Sequence, residues 1–120
     1  MNIENWEPIK GYEGYEVSDL GNIRSYRRSH KPRRLTINYV GRDRLRPQAQ
    51  LYQGSSTADY PYVSQLVAEA FIPDYNGQRI QYIDGNPSNV RADNLYFVDN
   101  GWIRTINGSR PIGRVVETDF

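Results

Sequence analysis

Through the first half of the chain hydrophobic and polar residues alternate in short runs closed by Gly, Asn or clustered charge. This is the pattern of antiparallel strands joined by hairpins. Tyr15-Glu16-Val17-Ser18 predicts a short strand, Asp19-Leu20-Gly21-Asn22 is turn chemistry, and Ile23 to Tyr26 predicts the returning strand. His30 to Arg34, basic and interrupted by Pro32, predicts a loop. Leu35 to Val40 alternates well enough for a third strand, Gly41 to Arg46 for a basic turn, and Ala49 to Tyr52 for a fourth strand. Gln53 to Asp59 then predicts a flexible hairpin loop leading into Tyr60 to Val63.

Beyond this point the period changes. Leu66, Val67, Ala70 and Phe71 fall on one face of a helix, with Ser64 as its expected N-cap and Pro73 as its stop. Arg79 to Ile83 predicts a strand, Asp84-Gly85-Asn86-Pro87 a tight turn, Asn89 to Asn94 a loop or single helical turn, and Leu95 to Val98 a further strand. Trp102-Ile103-Arg104 predicts the start of a short helix curtailed by Gly108 and Pro111. The last ten residues read as one more strand or a loose tail. Strands, one helix, then a strand–loop–strand unit make an α+β domain.

Composition narrows the chemistry. The 120 residues suit a single modest core. With no cysteine and the single histidine His30, neither a disulfide framework nor a thiolate zinc site is available. No signal-peptide core or membrane-length apolar run is present, so a soluble protein of the cytoplasm is expected. Tyrosine outnumbers the other aromatics, ten against three Phe and two Trp. Such rings serve either a small core or a binding surface.

The net charge of +1 conceals a strong asymmetry. Residues 1–23 carry five acids and one base. Residues 24–46 carry nine bases (Arg24, Arg27, Arg28, Lys31, Arg33, Arg34, Arg42, Arg44 and Arg46) and one acid. Residues 47–120 are again acidic. Thirteen of the fifteen bases are arginine, which favours bidentate contacts to phosphate over simple solubility. With Tyr26 and Tyr39 interleaved, this belt points to a phosphate-bearing partner, either nucleic acid or a nucleotide. A solvated basic surface is the plain alternative.

Three blocks resemble a known family. Trp6-Glu7-Pro8-Ile9 with GYEGYEVSDLGNIRS (Gly11 to Ser25) resembles the small nuclease-associated modular domain of phage homing endonucleases of the HNH type. LVAEAFIP (Leu66 to Pro73) resembles the helix leading into their core, and IDGNPSNVRADNLYFV (Ile83 to Val98) resembles the core's first strand, loop and second strand. The resemblance implies a modular-domain-like β region with the basic belt over residues 1–60. It further implies an HNH-like ββα-metal unit over 61–107 and a tail or strand over 108–120. In such enzymes that unit holds one divalent metal against the scissile phosphate. A strand histidine activates water, an asparagine braces the loop, and a helix-borne residue completes the metal site.

Carried over residue by residue, the catalytic positions are degenerate. The general-base histidine falls on Tyr82, and a phenol is a poor base at neutral pH. The preceding position is Gln81, the histidine that opens the helix is Ser64, and the helix-borne ligand falls near Trp102 or Ile103. The bracing asparagine persists as Asn94, with Asp84, Gly85, Asn86 and Asn89 in the loop. No catalytic residue, metal or other cofactor is therefore expected. The expected function is a pseudoenzyme that keeps the scaffold to bind nucleic acid. One alternative is a viral counter-defence protein that captures a nucleotide signal or blocks a host defence protein. Another is a magnesium-dependent nuclease using Asp84, Asn86, Asn89 or Asp93. The chain is also short for this family, whose members often continue into further DNA-binding segments.

Overall fold

Burial of alternate side chains organises the first sheet. In the computed structural model, which describes residues 3–54 and 56–112, strand β2 (Tyr15–Ser18) pairs antiparallel with β1 (Trp6–Pro8) and β3 (Ile23–Ser25). Val17 lies opposite Ile23 and both are buried, while Glu16 lies opposite Arg24 on the outer face. The connecting turn is held by Ser18 Oγ, which accepts the N–H groups of Leu20 (3.2 Å) and Asn22 (3.0 Å). Gly21 is required there twice over. Its φ is +88°, and a Cβ would lie 2.5 Å from Val90 Cγ2.

Arg33–Arg34 is not a loop, as expected, but strand β4 at the open edge of this sheet, so that its order is β1-β2-β3-β4. Backbone pairing outweighs the charge because an edge strand leaves its side chains in water. The strand expected over Leu35 to Val40 is divided. Leu35 and Ile37 turn partly into the core, and only Asn38–Val40 (β5) pairs, with β6 (Arg46–Gln48). Strand β7 (Leu51–Tyr52) pairs with β8 (Ala58–Asp59), which shortens the expected loop between them.

Helix α1 (Val63–Phe71) buries Val63, Leu66, Val67 and Ala68 against β2, β6 and the C-terminal unit. Burial stabilises each of the larger three by roughly 2 kcal/mol. Its N-cap is Tyr62, with no side-chain cap, rather than Ser64, which lies inside the first turn. The bridge between Tyr62 and Gln48 fixes the extended approach, and the first helical turn closes onto the Tyr62 carbonyl.

The C-terminal sheet has the order β12-β11-β10-β9, with β9 (Gln81–Tyr82) shorter than the strand expected over Arg79 to Ile83. A single 3-10 turn (Ala92–Asn94) leads into β10 (Leu95–Asp99). The helix expected from Trp102 is instead strand β11 (Trp102–Thr105), followed by β12 (Gly108–Pro111). The cause is local: Asn100 and Gly101 both have positive φ, 52° and 81°, and form a tight hairpin that returns Ile103 opposite Val98. Among the described residues, then, no helix follows β10, and Trp102 and Ile103 stand on a strand where the closing helix of a ββα unit was expected. Of the expected final strand or tail, residues 113–120 lie outside the described residues.

One hydrophobic cluster joins the two sheets through α1. Val17, Ile23, Leu51, Val63, Val67, Leu95 and Phe97 are fully buried in it, and Tyr75 packs edge-on against Phe97 at 5.3 Å. No helix among the described residues is long and apolar enough to cross a membrane.

Candidate nucleic-acid interface

The loop between β9 and β10 is built around two side chains. Asn94, buried at the end of the 3-10 turn, accepts the N–H of Asp84 (3.1 Å) and donates to Asp84 Oδ1 (2.9 Å) and to the carbonyl of Asn89 (2.9 Å). Asp84 also accepts the side-chain amide of Asn89 (2.8 Å) and the N–H of Asn86 (2.8 Å). These donations, from Asn89 first and then from Asn86 and Asn94, hold the Asp84 carboxyl below the ordinary aspartate value. Asp84 thus organises the turn. Asn86 Oδ1 in turn accepts the N–H of Ser88 (3.0 Å), whose hydroxyl reaches the carbonyl of Leu45 and ties the loop to the β5–β6 hairpin.

Beside this loop, between the start of α1 and β9, lies a cleft of about 530 Å³. It gathers Ser64, Gln81 and Tyr82, residues far apart in the chain, with Arg46, Arg79 and Tyr62. Its lining contains no carboxylate, imidazole or thiol. Among the described residues no group of three or more His, Cys, Asp or Glu side chains could hold a metal ion. The donor set therefore does not fit a divalent cation. Asp84, next in sequence to the lining residue Gly85, has its oxygens committed to the loop. Arg79 and Tyr62 went unremarked in the sequence. The only signal for Arg79 was its place two residues before Gln81, and for Tyr62 its place at the foot of the helix.

The arginine belt does not form one surface of equivalent side chains. Arg24 is held by Glu16, with Nε 2.8 Å and Nη2 2.7 Å from the same carboxylate oxygen, and it lies 4.0 Å over the Trp6 ring and 5.4 Å over Tyr26. Arg27 donates to the carbonyl of Tyr52 (2.7 Å) and packs over Tyr15 and Tyr52. Arg34 reaches Glu4 at 3.6 Å. Arg28, Lys31, Arg33, Arg42, Arg44 and Arg46 are exposed and have no ion-pair partner among the described residues. Arg28 and Arg33 share a second cavity, about 600 Å³, with Arg27 and Tyr52, whereas Arg42, Arg44 and Arg46 ride on the β5–β6 hairpin. Tyr39 stands exposed on that hairpin, and Tyr26 is half-buried beside Arg24.

These features define a class: a small α+β protein whose braced strand–loop–strand unit faces a basic cleft, with an arginine-rich sheet edge and hairpin. The NUMOD4 motif, found in homing endonucleases, matches residues 4–64. A solved structure, described as "DNA binding and cleavage by the HNH homing endonuclease I-HmuI", is similar over 78% of this chain at 31% identity and a TM-score of 0.66. The chain belongs to the HNH homing endonuclease family, in its NUMOD4-bearing branch. It spans about half of that endonuclease, 52% of its length. No curated protein sequence matches it.

Proposed function

We propose that this protein binds duplex DNA through its phosphates and does not cut it. The observation that carries this reading is the set of six exposed basic side chains, Arg28, Lys31, Arg33, Arg42, Arg44 and Arg46, left without acidic partners. An arginine not committed to a carboxylate is free to neutralise phosphate, and releasing condensed counterions from DNA favours the exchange. The similarity to an endonuclease whose described property is DNA binding and cleavage supports the choice of duplex DNA as partner. The second half of the reading is supported by the cleft, which offers phenol, amide and hydroxyl where cutting requires a base and metal ligands.

Binding measured against salt tests the first half. Six phosphate contacts give a log–log slope of about −5, and Arg33→Gln reduces its magnitude by about 0.9. Absent binding at low salt, or binding indifferent to salt, refutes it. Incubation with supercoiled plasmid and magnesium or manganese tests the second half. Nicking that disappears in Tyr82→Ala or Asn94→Ala refutes it.

A further inference from the structure

We propose that the space between the first sheet and strand β7 is a groove for single-stranded nucleic acid, recognised by its unstacked bases and its phosphates together. The groove shares Arg28 and Arg33 with the duplex reading above but does not rest on it.

Two cavities adjoin there, about 690 and 600 Å³, and Arg27 and Tyr52 line both. Tyr12, Tyr26, Gly11 and Gly54 complete the working wall of the first; Arg28, Arg33 and Gln50 stand in the second. Each volume lies within the range of small-ligand sites, about 300–1,000 Å³, so the pair has room for more than one nucleotide.

The charge of the groove is one-sided. Its combined lining carries three arginines and a single carboxylate, the exposed Glu13. Arg28 and Arg33 have no ion-pair partner among the described residues. Arg27 is fixed by the carbonyl of Tyr52 (2.7 Å) and the hydroxyl of Tyr15 (3.4 Å), neither of which cancels its charge. A phosphate backbone running past these three groups is met by positive charge throughout.

Tyr26 and Tyr52 carry the inference furthest. Both are half-buried, yet neither belongs to the hydrophobic cluster that joins the two sheets, so core packing does not account for their rings. Each lies instead under an arginine, Arg24 at 5.4 Å from Tyr26 and Arg27 at 5.9 Å from Tyr52. The Tyr52 hydroxyl accepts the side-chain amide of Gln50 (2.8 Å), and the Tyr12 hydroxyl donates to Asp59 (2.9 Å). Rings already held in this way lose little freedom when a base stacks on them. Gly54, with φ +88°, leaves bare backbone at the mouth of the first cavity, where a Cβ would meet nothing within 4 Å.

A duplex has no use for such rings. Its base faces are stacked on one another, and its phosphates need only the exposed arginines. Tyrosines and arginines alternating along one groove suit a strand whose bases are free to stack on protein.

Fluorescence anisotropy on the full chain tests this, with labelled oligothymidylate, oligouridylate, an abasic DNA strand and a duplex, all of one length. The expected result is that oligothymidylate or oligouridylate binds about tenfold or more tightly than the abasic strand. Whichever of the two binds more tightly identifies DNA or RNA as the natural source. Tyr52→Leu should weaken that binding about tenfold while leaving the abasic strand and the duplex unchanged. Arg28→Gln should lower the magnitude of its salt slope by about 0.7. Arg42→Gln, on the β5–β6 hairpin, should leave the single strand unchanged and lower the slope for duplex. The proposal is overturned if neither base-bearing strand binds, or if the abasic strand binds as tightly as both. Equal losses of single-strand affinity in Arg42→Gln and Arg28→Gln, or wild-type affinity in Tyr52→Leu, overturn it as well. If circular dichroism shows Tyr52→Leu unfolded, Tyr26→Leu takes its place under the same expectations. Absent duplex binding beside intact single-strand binding refutes the duplex reading alone, and the converse refutes this one alone.

Discussion

Replacing Asn94 by alanine isolates the brace of the β9–β10 loop. The side chain makes three hydrogen bonds: it accepts the Asp84 N–H at 3.1 Å and donates to Asp84 Oδ1 and the Asn89 carbonyl, both at 2.9 Å. Two of these join neutral groups, worth about 1 kcal/mol each, and the third ends on the exposed Asp84 carboxylate, where water can take its place. Water regains part of this at Asp84, which is exposed, but less at Asn94, which is 6% exposed. Asn94→Ala should therefore cost roughly 2 kcal/mol, a large share of the ~5–15 kcal/mol that holds a domain of this size. Asn94→Asp separates shape from chemistry. It keeps the acceptor for the Asp84 N–H, but sets a carboxylate against the Asp84 carboxylate and leaves the Asn89 carbonyl without its donor. At neutral pH it should be worse than alanine, and below about pH 4, where carboxylates take up protons, the difference should close. Urea unfolding followed by tryptophan fluorescence measures both, with an unchanged denaturant slope as the sign that the folded state is otherwise the same. A cost under about 1 kcal/mol for Asn94→Ala, or an aspartate variant no worse than alanine at neutral pH, would refute the brace.

Acid should loosen the same loop in the wild type. The Asp84 carboxyl is depressed in the fold, by Asn89 first and then Asn86 and Asn94, so its contribution is present above the ordinary aspartate pKa and is lost as pH falls through the lower folded value. Carboxyl chemical shifts followed by NMR check this, and in Asn94→Ala the Asp84 midpoint should move upward. Gly21→Ala combines a left-handed φ of +88° with a Cβ 2.5 Å from Val90 Cγ2, so it should destabilise by about 2–4 kcal/mol in thermal or urea unfolding. Phe97→Ala empties the centre of the core and should cost about 3–5 kcal/mol in the same assay. Arg24→Lys loses the fork onto Glu16 and the contact over Trp6, so it should shift Trp6 fluorescence and lower stability by about 1 kcal/mol. It should leave the salt slope of DNA binding unchanged.

What the sequence makes legible here follows from how local each signal is. Tyr15–Ser18, its Asp-Leu-Gly-Asn turn and the return at Ile23 carry period and turn chemistry together, and they form the expected hairpin. Helix α1 is equally legible from Leu66 and Val67, but its first residue is not. Ser64 has the composition of a cap, yet the bridge from Gln48 to Tyr62, long in sequence, sets where the helix begins. Arg33–Arg34 hides as a strand because its partner β3, not its own composition, makes it one. Trp102 to Thr105 misleads in the opposite way. The short apolar run is ambiguous in period, and the decisive residues, Asn100 and Gly101, lie just ahead of it. The cleft was half legible. Ser64, Gln81 and Tyr82 came from resemblance, but Arg79 and Tyr62 join them only through tertiary packing.

The charge asymmetry of the sequence acquires a different meaning in three dimensions. The acidic block at residues 1–23 folds onto part of the basic block that follows it, because β2 pairs with β3 and β3 with β4. Glu16 takes Arg24 and Glu4 approaches Arg34, while Arg27 is absorbed by Tyr15, Tyr52 and a carbonyl. Arg24 and Arg27 are part of the scaffold, whereas Arg34 is exposed and only loosely paired. The Glu16 pair, three-quarters shielded from water on both sides, is little affected by salt. The six cations left over stand on the β3–β4 connection, on β4 and on the β5–β6 hairpin, elements set by backbone pairing and not by those side chains. Salt should therefore act on two populations differently, weakening DNA binding steeply while leaving the unfolding midpoint almost where it was. A protein whose whole belt served its own stability would lose both together.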